Sequence, residues 1–321
     1  MAASAAAGPD HHTTIVESDL PTVTSPTRDV PLPGSTPTRR LASWLHRRPN
    51  IRLGALLAGP TAWLVIVYLG SLAILFVNAF FTRDAFSGET IYQPTLDNFA
   101  RLLEDPYPGI TVRTVVMAAL VTLTCALLAL PIAFFMARVI PPRFRSAMVV
   151  AVIVPLWASY LIKIYSWRLI LAEDGLLNEL LAPLGLSGPG FGDVAVWLVF
   201  TYLWLPYMIL PVYAGLDRIP DSMLEASADL GGRSWITFRR VILPLVLPAM
   251  IAGSIFTFSL TLGDYITPQL VSSTQFIGNV VYANVGIANN LPLAAAFATV
   301  PVVIMIVYLL LMRRLGAFEN L

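Results

Sequence analysis

The chain is poor in the residue types that disulfide-rich proteins and many enzymes depend on. It has one cysteine, Cys125, inside an apolar run, and three histidines, which all precede the first long apolar segment. A single thiol cannot form a disulfide framework or a thiolate metal site, and no histidine is placed to relay protons through a membrane. Charged residues make up 12% of the chain and the formal net charge is +1, which gives no basis for binding nucleic acid.

Nucleotide-binding and catalytic motifs are missing as well. No stretch has the phosphate-binding form G-x-x-x-x-G-K-[ST], so a nucleotide would have to bind to another chain. No cluster of histidine, cysteine and carboxylate side chains falls within the apolar segments, which disfavours a membrane-embedded enzyme. The same segments contain almost no carboxylates, which disfavours an ion-coupled secondary transporter acting alone. The sequence therefore predicts neither enzymatic activity nor a cofactor on this chain.

The chain is instead rich in long apolar segments. Hydrophobic residues make up 57% of it, and about 20 consecutive apolar residues are enough to cross a bilayer. Six segments meet this requirement and predict an all-α integral membrane protein. The predicted spans 1 to 6 are residues 55–81, 112–137, 146–170, 195–216, 243–263 and 294–312.

The composition changes near residue 50 and predicts two regions. Residues 1–50 are rich in Ser, Thr, Pro, Ala and Gly, and such a segment buries too little apolar surface to offset the entropy of ordering. We expect it to be a disordered, basic, cytoplasmic tail. Residues 51–321 then form the six-span domain.

Arginines indicate how that domain is oriented, because short cytoplasmic loops are enriched in basic residues. Arginines cluster between spans 2 and 3, between spans 4 and 5, and after span 6, whereas the connections at 171–194 and 264–293 have no Lys or Arg. Both termini are therefore predicted to be cytoplasmic. The arginines on that side are Arg138, Arg143, Arg145, Arg218, Arg233, Arg239, Arg240, Arg313 and Arg314.

A polar stretch, SMLEASADLGGRSWITFRRVILP at 222–244, interrupts the apolar segments within the predicted cytoplasmic loop 217–244. Ser222 and Glu225 have the spacing of a capping box and predict a helix start. The glycines at 231 and 232 predict a sharp turn, since glycine adopts positive φ readily. Ser234 is placed to cap a second short helix, which we expect to end near Pro244.

This stretch resembles the EAA loop of binding-protein-dependent ABC importer permeases of type I. The spacing of E-A-x, three residues, G, then F and L-P is kept, while Ser227 and Gly232 replace the usual alanines with other small residues. The resemblance implies that the loop docks on an ATP-hydrolysing subunit and transmits its motion. The residues to which it assigns this role are Glu225, Ala226, Ser227, Asp229, Gly231, Gly232, Phe238, Leu243 and Pro244.

The family resemblance also implies partners. These are a second permease subunit, two copies of an ATPase that binds ATP and Mg, and an extracytoplasmic substrate-binding protein, assembled in the bacterial inner membrane. The stretches LGDYITPQLVSS, IGNVV and NNLPLAAA are similar to the B-type spermidine/putrescine permeases of this family. They imply a small cationic cargo such as a polyamine, with an opine or amino-acid derivative as the alternative.

Polar and aromatic residues near the outer ends of spans 3 to 5 are candidates for the transport pathway. Lys163 lies deep in span 3, where a lipid-facing cation would be costly, so it either pairs with a carboxylate or lines the pathway. Asp264 is a pathway residue, a solvated helix-end carboxylate or the partner of Lys163. The candidate pathway residues are Trp157, Tyr160, Lys163, Trp167, Trp204, Tyr207, Asp264 and Tyr265.

The first outer loop, residues 82–111, is acidic and contains the segment TLDNFARLLEDP. Its spacing predicts a short amphipathic helix with Leu96, Phe99, Leu102 and Leu103 facing the membrane. The acidity suits either a docking face for the binding protein or an ordinary solvated loop.

Overall fold

A computed structural model of the chain describes residues 49–84 and 86–314. The predicted tail, apart from its last two positions, lies outside the described residues. The chain divides into two compact units, residues 1–64 and 65–321. The described segment of the first unit is helical.

The described residues are mostly helical, with one short β-hairpin on the chain between the first two spans. The elements in chain order are α1 (Pro49–Trp63), a π-helical turn (Leu64–Leu69), α2 (Gly70–Asn78), β1 (Thr82–Arg83), β2 (Thr90–Ile91), α3 (Asp97–Arg101), α4 (Tyr107–Phe134), a π-helical turn (Phe135–Val139), α5 (Pro142–Trp157), α6 (Tyr160–Leu171), α7 (Leu176–Leu181), a 3₁₀ turn (Ala182–Leu184), α8 (Asp193–Asp217), α9 (Asp221–Asp229), α10 (Ser234–Thr237), a π-helical turn (Phe238–Ile242), α11 (Leu243–Gly263), α12 (Ile266–Val271), α13 (Ile277–Gly286) and α14 (Leu291–Arg314).

Within the part of the chain that the structure describes, five segments are long and apolar enough to cross a membrane as single helices, and a bent pair of helices gives a sixth candidate. Each of the six predicted spans corresponds to one of them. The five single spans are Leu57–Asn78, Tyr107–Val139, Asp193–Asp217, Ser234–Gly263 and Leu291–Arg314.

Span 3 differs from the prediction of one continuous helix. Helices α5 and α6 meet at an angle of 88°, because Ala158 and Ser159 both adopt extended backbone conformations. Neither residue is a glycine or a proline, so hydropathy and local propensity gave no sign of the break. The break instead coincides with a tertiary contact of Tyr160, described below.

The core of the larger unit is formed by α4, α8 and α11, which pack extensively on one another. Small residues allow close approach: a Cβ added at Gly215 would lie 2.7 Å from Ala249 Cβ. Hydrogen bonds between spans support the packing, including Trp197 Nε1 to Thr124 Oγ1 at 3.1 Å. Small side chains and inter-helix hydrogen bonds are the usual means of helix association in membranes.

The loop between spans 1 and 2 is anchored by polar contacts. In the hairpin, Arg83 pairs with Thr90 in antiparallel register, and Asp84 accepts the backbone N–H groups of Phe86 and Ser87 at 2.7 and 2.8 Å. These two donors lower the pKa of the Asp84 carboxyl. Buried Asn98 of α3 donates to the carbonyl oxygen of Ala79 at 3.0 Å.

The predicted apolar face of the 95–106 segment is only partly correct. Leu96 and Leu103 are exposed, but Phe99 packs against Phe80 with ring centroids 5.1 Å apart, and Leu102 packs on a buried cluster that includes Ile110. Phe99 and Leu102 therefore face protein and not the membrane. The buried Asn98 explains the difference, because it draws its helix onto the end of span 1.

Candidate functional site

The EAA-like stretch forms two short helices around a glycine turn, as predicted. Gly231 has φ +77°, and the N–H of Gly232 donates to Ser227 O at 2.8 Å. The hydroxyl groups of Ser227 and Thr237 lie 2.9 Å apart and join α9 to α10. The turn therefore has a definite geometry, set by one left-handed residue and one hydroxyl pair.

The predicted helix caps are wrong. Helix α9 begins at Asp221 after an extended Pro220, and α10 begins at Ser234 itself, both without a side-chain capping bond. Asp221 stabilises the α9 start through its charge at the positive end of the helix dipole. The second helix also does not end near Pro244, since a π-helical turn over Phe238–Ile242 leads directly into α11. Proline is compatible with the first turn of a helix, because the amide it lacks would have no helical partner there.

The stretch presents an apolar surface to solvent. Leu230 is 90% exposed and Trp235 is 67% exposed, and a cavity of about 410 Å³ lies nearby between the ends of α8 and α11. A second cavity of about 390 Å³ is within the stretch itself. It is lined by Met223, Ala226, Ser227, Leu230, Gly232, Ile236, Arg240 and Val241. A contiguous exposed apolar surface of this kind marks a site of interaction with another protein or with lipid.

The nine residues assigned to this role by resemblance fall into three groups. Ala226, Ser227 and Gly232 line the second cavity, and Glu225 and Asp229 are exposed on α9. The other four residues support this exposed surface. Gly231 makes the turn, and Phe238 stacks on Trp235 with ring centroids 5.6 Å apart and packs on the core. Leu243 and Pro244 begin α11.

The candidate pathway residues converge on a second site at the break in span 3. Asp264, just after α11, accepts hydrogen bonds from the Tyr160 hydroxyl and from Thr267 Oγ1, the latter at 3.1 Å. Its other oxygen accepts the backbone N–H of Ile266 at 2.8 Å and of Thr267 at 3.2 Å. No Lys, Arg or His within the described ranges lies within 4.0 Å of this carboxylate. Asp264 is thus well hydrogen-bonded, yet the described residues supply no countercharge.

An aromatic cavity of about 410 Å³ lies beside Asp264. Trp204 stacks on Tyr160 with centroids 6.2 Å apart and contacts Tyr207 at 5.9 Å. The Trp204 side chain is 8% exposed, and its Nε1 has no hydrogen-bond partner among the described residues. The cavity is lined by Tyr160, Trp204, Ser259, Leu260, Gly263, Asp264, Tyr265 and Ile266.

Four candidate pathway residues do not line this cavity, Tyr207 behind Trp204 being one of them. Trp157 precedes the break and is 86% exposed, and Trp167 packs on Tyr202 at 5.5 Å. Lys163 is half-buried, and no carboxylate within residues 49–84 and 86–314 comes within 4.0 Å of its ammonium group. Of the alternatives left open for these two residues, the ion pair between Lys163 and Asp264 is therefore not formed, because Asp264 is held by Tyr160 and by the start of α12.

The sequence reasoning missed two residues that fix Asp264. Thr267 supplies two of its hydrogen bonds, and an aspartate at a helix start is a recognisable capping signal. Gly278 of α13 approaches from elsewhere: a Cβ there would lie 2.9 Å from Asp264 O. No local signal could have paired Gly278 with Asp264. Within the described part of the chain, no group of three or more His, Cys, Asp or Glu side chains could hold a metal ion.

Helical spans, a broken helix and an exposed turn between spans together define a membrane-embedded transport component. Residues 129–318 match the family of binding-protein-dependent transport system inner membrane components. The chain belongs to this family. It is accordingly a multi-pass inner membrane protein and the permease subunit of an ABC importer, without enzymatic activity of its own.

Relatives and solved structures agree with this assignment. The chain is 44% identical over 298 residues to the inner membrane ABC transporter permease protein YdcU of Escherichia coli strain K12, covering 88% of this chain and 95% of that one. It is 33% identical over 265 residues to the spermidine/putrescine transport system permease protein PotB of the same strain, covering 80% and 95%.

Among solved structures, a bacterial alginate ABC transporter in complex with an alginate pentasaccharide-bound periplasmic protein matches with a TM-score of 0.66 at 18% identity, covering 87% of this chain and 99% of that chain. The MetNI methionine ABC transporter in an inward-facing conformation matches with a TM-score of 0.51 at 18% identity, covering 66% and 97%. At such identity these structures establish the fold, and the differing cargoes in their names show that the fold alone does not select a cargo.

Proposed function

We propose that this chain forms one half of the translocation pathway of an ATP-driven importer for a small cationic solute, with a polyamine such as spermidine or putrescine as the cargo. The observation that carries this proposal is the Asp264 carboxylate, which lies beside an aromatic cavity without a cation from the described residues. The PotB relatives support the choice of polyamine.

The chemistry of the cavity suits an ammonium group. Tyr160, Trp204 and Tyr265 contribute aromatic rings, and a cation over such a ring gains roughly 0.5–2 kcal/mol. Asp264 supplies the opposite charge, and a partly buried charge is tolerated best when it is paired. A polyamine carries several ammonium groups on an apolar chain, so one end would fill the carboxylate and aromatic subsite while its methylenes contact Leu260.

A second candidate cargo is an amine that also carries an acceptor, such as an amino-acid derivative or an opine. The observation that favours it is the Trp204 Nε1 group, a buried donor with no acceptor among the described residues. If the Trp204 ring turns this buried edge to the cavity, a carboxylate on the cargo would satisfy the donor, whereas a fully protonated polyamine offers only donors. The two cargo classes therefore make different demands on Trp204.

Energy enters through the stretch 222–244, which we propose docks on the ATPase subunit. The exposed apolar residues of the stretch, Leu230 and Trp235 among them, provide a contact surface. The glycine turn, held by the hydroxyl pair of Ser227 and Thr237, makes the stretch stiff enough to transmit motion. The arginines around it support a cytoplasmic location for this side and for both chain termini, where ATP is available. A second permease subunit, two ATPase copies binding ATP and Mg, and an extracytoplasmic binding protein would complete the assembly.

The cargo assignment is tested by uptake into proteoliposomes containing the complete importer and labelled putrescine or spermidine. We expect Asp264→Asn to lower the uptake rate at subsaturating cargo about tenfold, since a hydrogen bond to a charged group contributes about 1.5–3 kcal/mol. Asp174→Asn removes a carboxylate that is exposed in an outer connection and should leave uptake unchanged. Wild-type kinetics in Asp264→Asn, with normal recovery of the complex, would remove this carboxylate from the cargo site.

The coupling assignment is tested by ATPase activity in the presence of loaded binding protein. Glu225→Lys and Gly231→Asp should each insert into the membrane normally and lose most of the stimulation, because the first reverses a charge on the docking face and the second adds a charge next to its exposed apolar residues. Wild-type stimulation in both variants would refute the docking role of the stretch.

A further inference from the structure

Arg138 occupies an unusual position at the end of span 2, in the π-helical turn that follows α4. Its side chain is only 15% exposed. Nη2 donates to Leu216 O at 2.7 Å and to Ile219 O at 2.6 Å, and Nη1 lies 2.6 Å from Asp221 Oδ1. One guanidinium therefore contacts the end of span 4, the connection after it, and the first residue of α9.

These contacts are suited to joining α9 rigidly to the ends of spans 2 and 4. The last carbonyl groups of a helix have no helical partners and carry the negative end of its dipole, so a buried cation there is favourable. The planar guanidinium can hold two carbonyls and a carboxylate at fixed angles, which a lysine ammonium cannot do. The chain between α8 and α9 is only residues 218–220, and Arg138 holds both of its flanks.

A neighbouring ion pair is looser. Arg145 Nη1 lies 3.3 Å from Asp217 Oδ1, with the two side chains 31% and 48% exposed, and Arg145 makes no contact with α9 among the described residues. Within residues 49–84 and 86–314, Arg138 is thus the one basic side chain whose ion pair joins span 2 directly to α9.

We propose that Arg138 is a positioning residue that holds α9 rigidly to spans 2 and 4, so that α9 and the pathway helices move together when α9 moves. This inference rests on the proposed docking of the 222–244 stretch. Without the Arg138 contacts, α9 can pivot at residues 218–220 while the spans stay in place. ATP would then be hydrolysed with less cargo moved per turnover.

The contacts predict a graded series of variants. Asp221→Asn removes the ion pair and the charge at the start of α9 but keeps the contacts of Arg138 with the two carbonyl groups; since the carboxylate side chain is 81% exposed, the ratio of cargo transported to ATP hydrolysed should fall about two- to threefold. Arg138→Gln also removes the guanidinium donors to two carbonyl groups, leaving Ile219 O without a partner among the described residues and Leu216 O with backbone donors alone, and the ratio should fall about tenfold. Arg138→Lys keeps the charge but loses the planar guanidinium that holds several acceptors at once, and its ratio should lie between those of the other two variants.

The experiment measures cargo uptake and ATP hydrolysis in the same proteoliposomes containing the complete importer. Arg143→Gln is the matched control: it removes an arginine from the same connection, and that arginine contacts the Phe144 ring at 4.9 Å. Glu225→Lys is the reference for lost docking. Co-purification of the ATPase with each variant separates coupling from assembly, since a folding defect lowers uptake and hydrolysis together and leaves their ratio unchanged.

The expected result is a lowered ratio in Asp221→Asn and Arg138→Gln, with normal ATPase co-purification and a wild-type ratio in Arg143→Gln. A wild-type ratio in Asp221→Asn and Arg138→Lys, while Glu225→Lys is uncoupled, overturns the role of Arg138 and leaves the docking proposal intact. Full coupling in Glu225→Lys itself would overturn the docking proposal. Should Arg138→Gln fail to insert, Asp221→Asn and Arg138→Lys decide, because the first changes an exposed side chain and the second keeps the buried positive charge.

Discussion

The glycine turn between α9 and α10 offers a quantitative test, because its two glycines are required for different reasons. Gly231 has φ +77° but nothing lies within 4 Å of a Cβ placed there. Gly232 has no positive φ, but its Cβ would lie 2.6 Å from Ser227 O and 3.0 Å from Thr237 Oγ1. One position is limited by backbone conformation and the other by space.

The two alanine variants should therefore differ in size of effect. Gly231→Ala places an L-residue in the left-handed region, at a cost of about 1 kcal/mol or slightly more, which opens the turn about fivefold more often. Gly232→Ala forces Ser227 and Thr237 apart, and overpacking plus one lost hydrogen bond costs about 2–4 kcal/mol. Opening should rise about 30-fold or more. Gly231→Asn, which tolerates this backbone region, should stay close to the wild type.

Amide hydrogen exchange measures this opening directly, because exchange of a hydrogen-bonded amide reports the free energy of local opening. The informative peptide covers residues 226–238, whose amides include the bond from Gly231 N to Ala228 O at 2.9 Å. Protection should decrease in the order wild type and Gly231→Asn, then Gly231→Ala, then Gly232→Ala. Greater loss in Gly231→Ala than in Gly232→Ala would refute the steric argument, and equal protection in all variants would show that the turn is not held as described.

Two further predictions concern the cargo cavity and the orientation. Trp204→Phe keeps the ring stacked on Tyr160 but loses the unpaired N–H. If a polyamine is the cargo, spermidine uptake should be unchanged, while inhibition of that uptake by an ω-amino carboxylate should weaken about fivefold. An equal loss for both compounds would show that the N–H does not discriminate between them. A membrane-impermeant maleimide should label Ser87→Cys from outside and Arg143→Cys only from inside. Cys125 should give no background labelling, because it is 0% exposed. The reverse labelling pattern would show that the proposed topology is inverted.

The positions of the spans could be predicted from hydropathy because membrane insertion depends on local apolar length. The Gly231 turn could be predicted for a similar reason, since positive φ is a property of single residues. The helix starts at Asp221 and Ser234 were harder: serines at 222 and 234 fit the capping pattern, but the chain entered each helix one or more residues earlier. Cap patterns identify a helix start only approximately when several polar residues are adjacent.

The candidate pathway shows where sequence reasoning reached its limit. Tyr160, Trp204, Asp264 and Tyr265 were all predicted to be candidate pathway residues, and the structure brings them together around one cavity. For Asp264 the sequence left open a pathway role, a solvated helix end or pairing with Lys163, whereas the fold supplies Tyr160 through the break in span 3. A contact between residues 104 positions apart depends on a bend that no residue type at 158 or 159 signals.

The sequence by itself determined that this protein crosses the membrane and where a glycine turn interrupts the spans, because each of these follows from the chemistry of short segments. Only the tertiary structure decided what Arg138 does. In the sequence it marks the cytoplasmic side like its neighbours, and its contacts with Leu216, Ile219 and Asp221 exist because span 2 packs on span 4. Pairings between distant segments depend on how helices pack, and packing is a property of the whole fold.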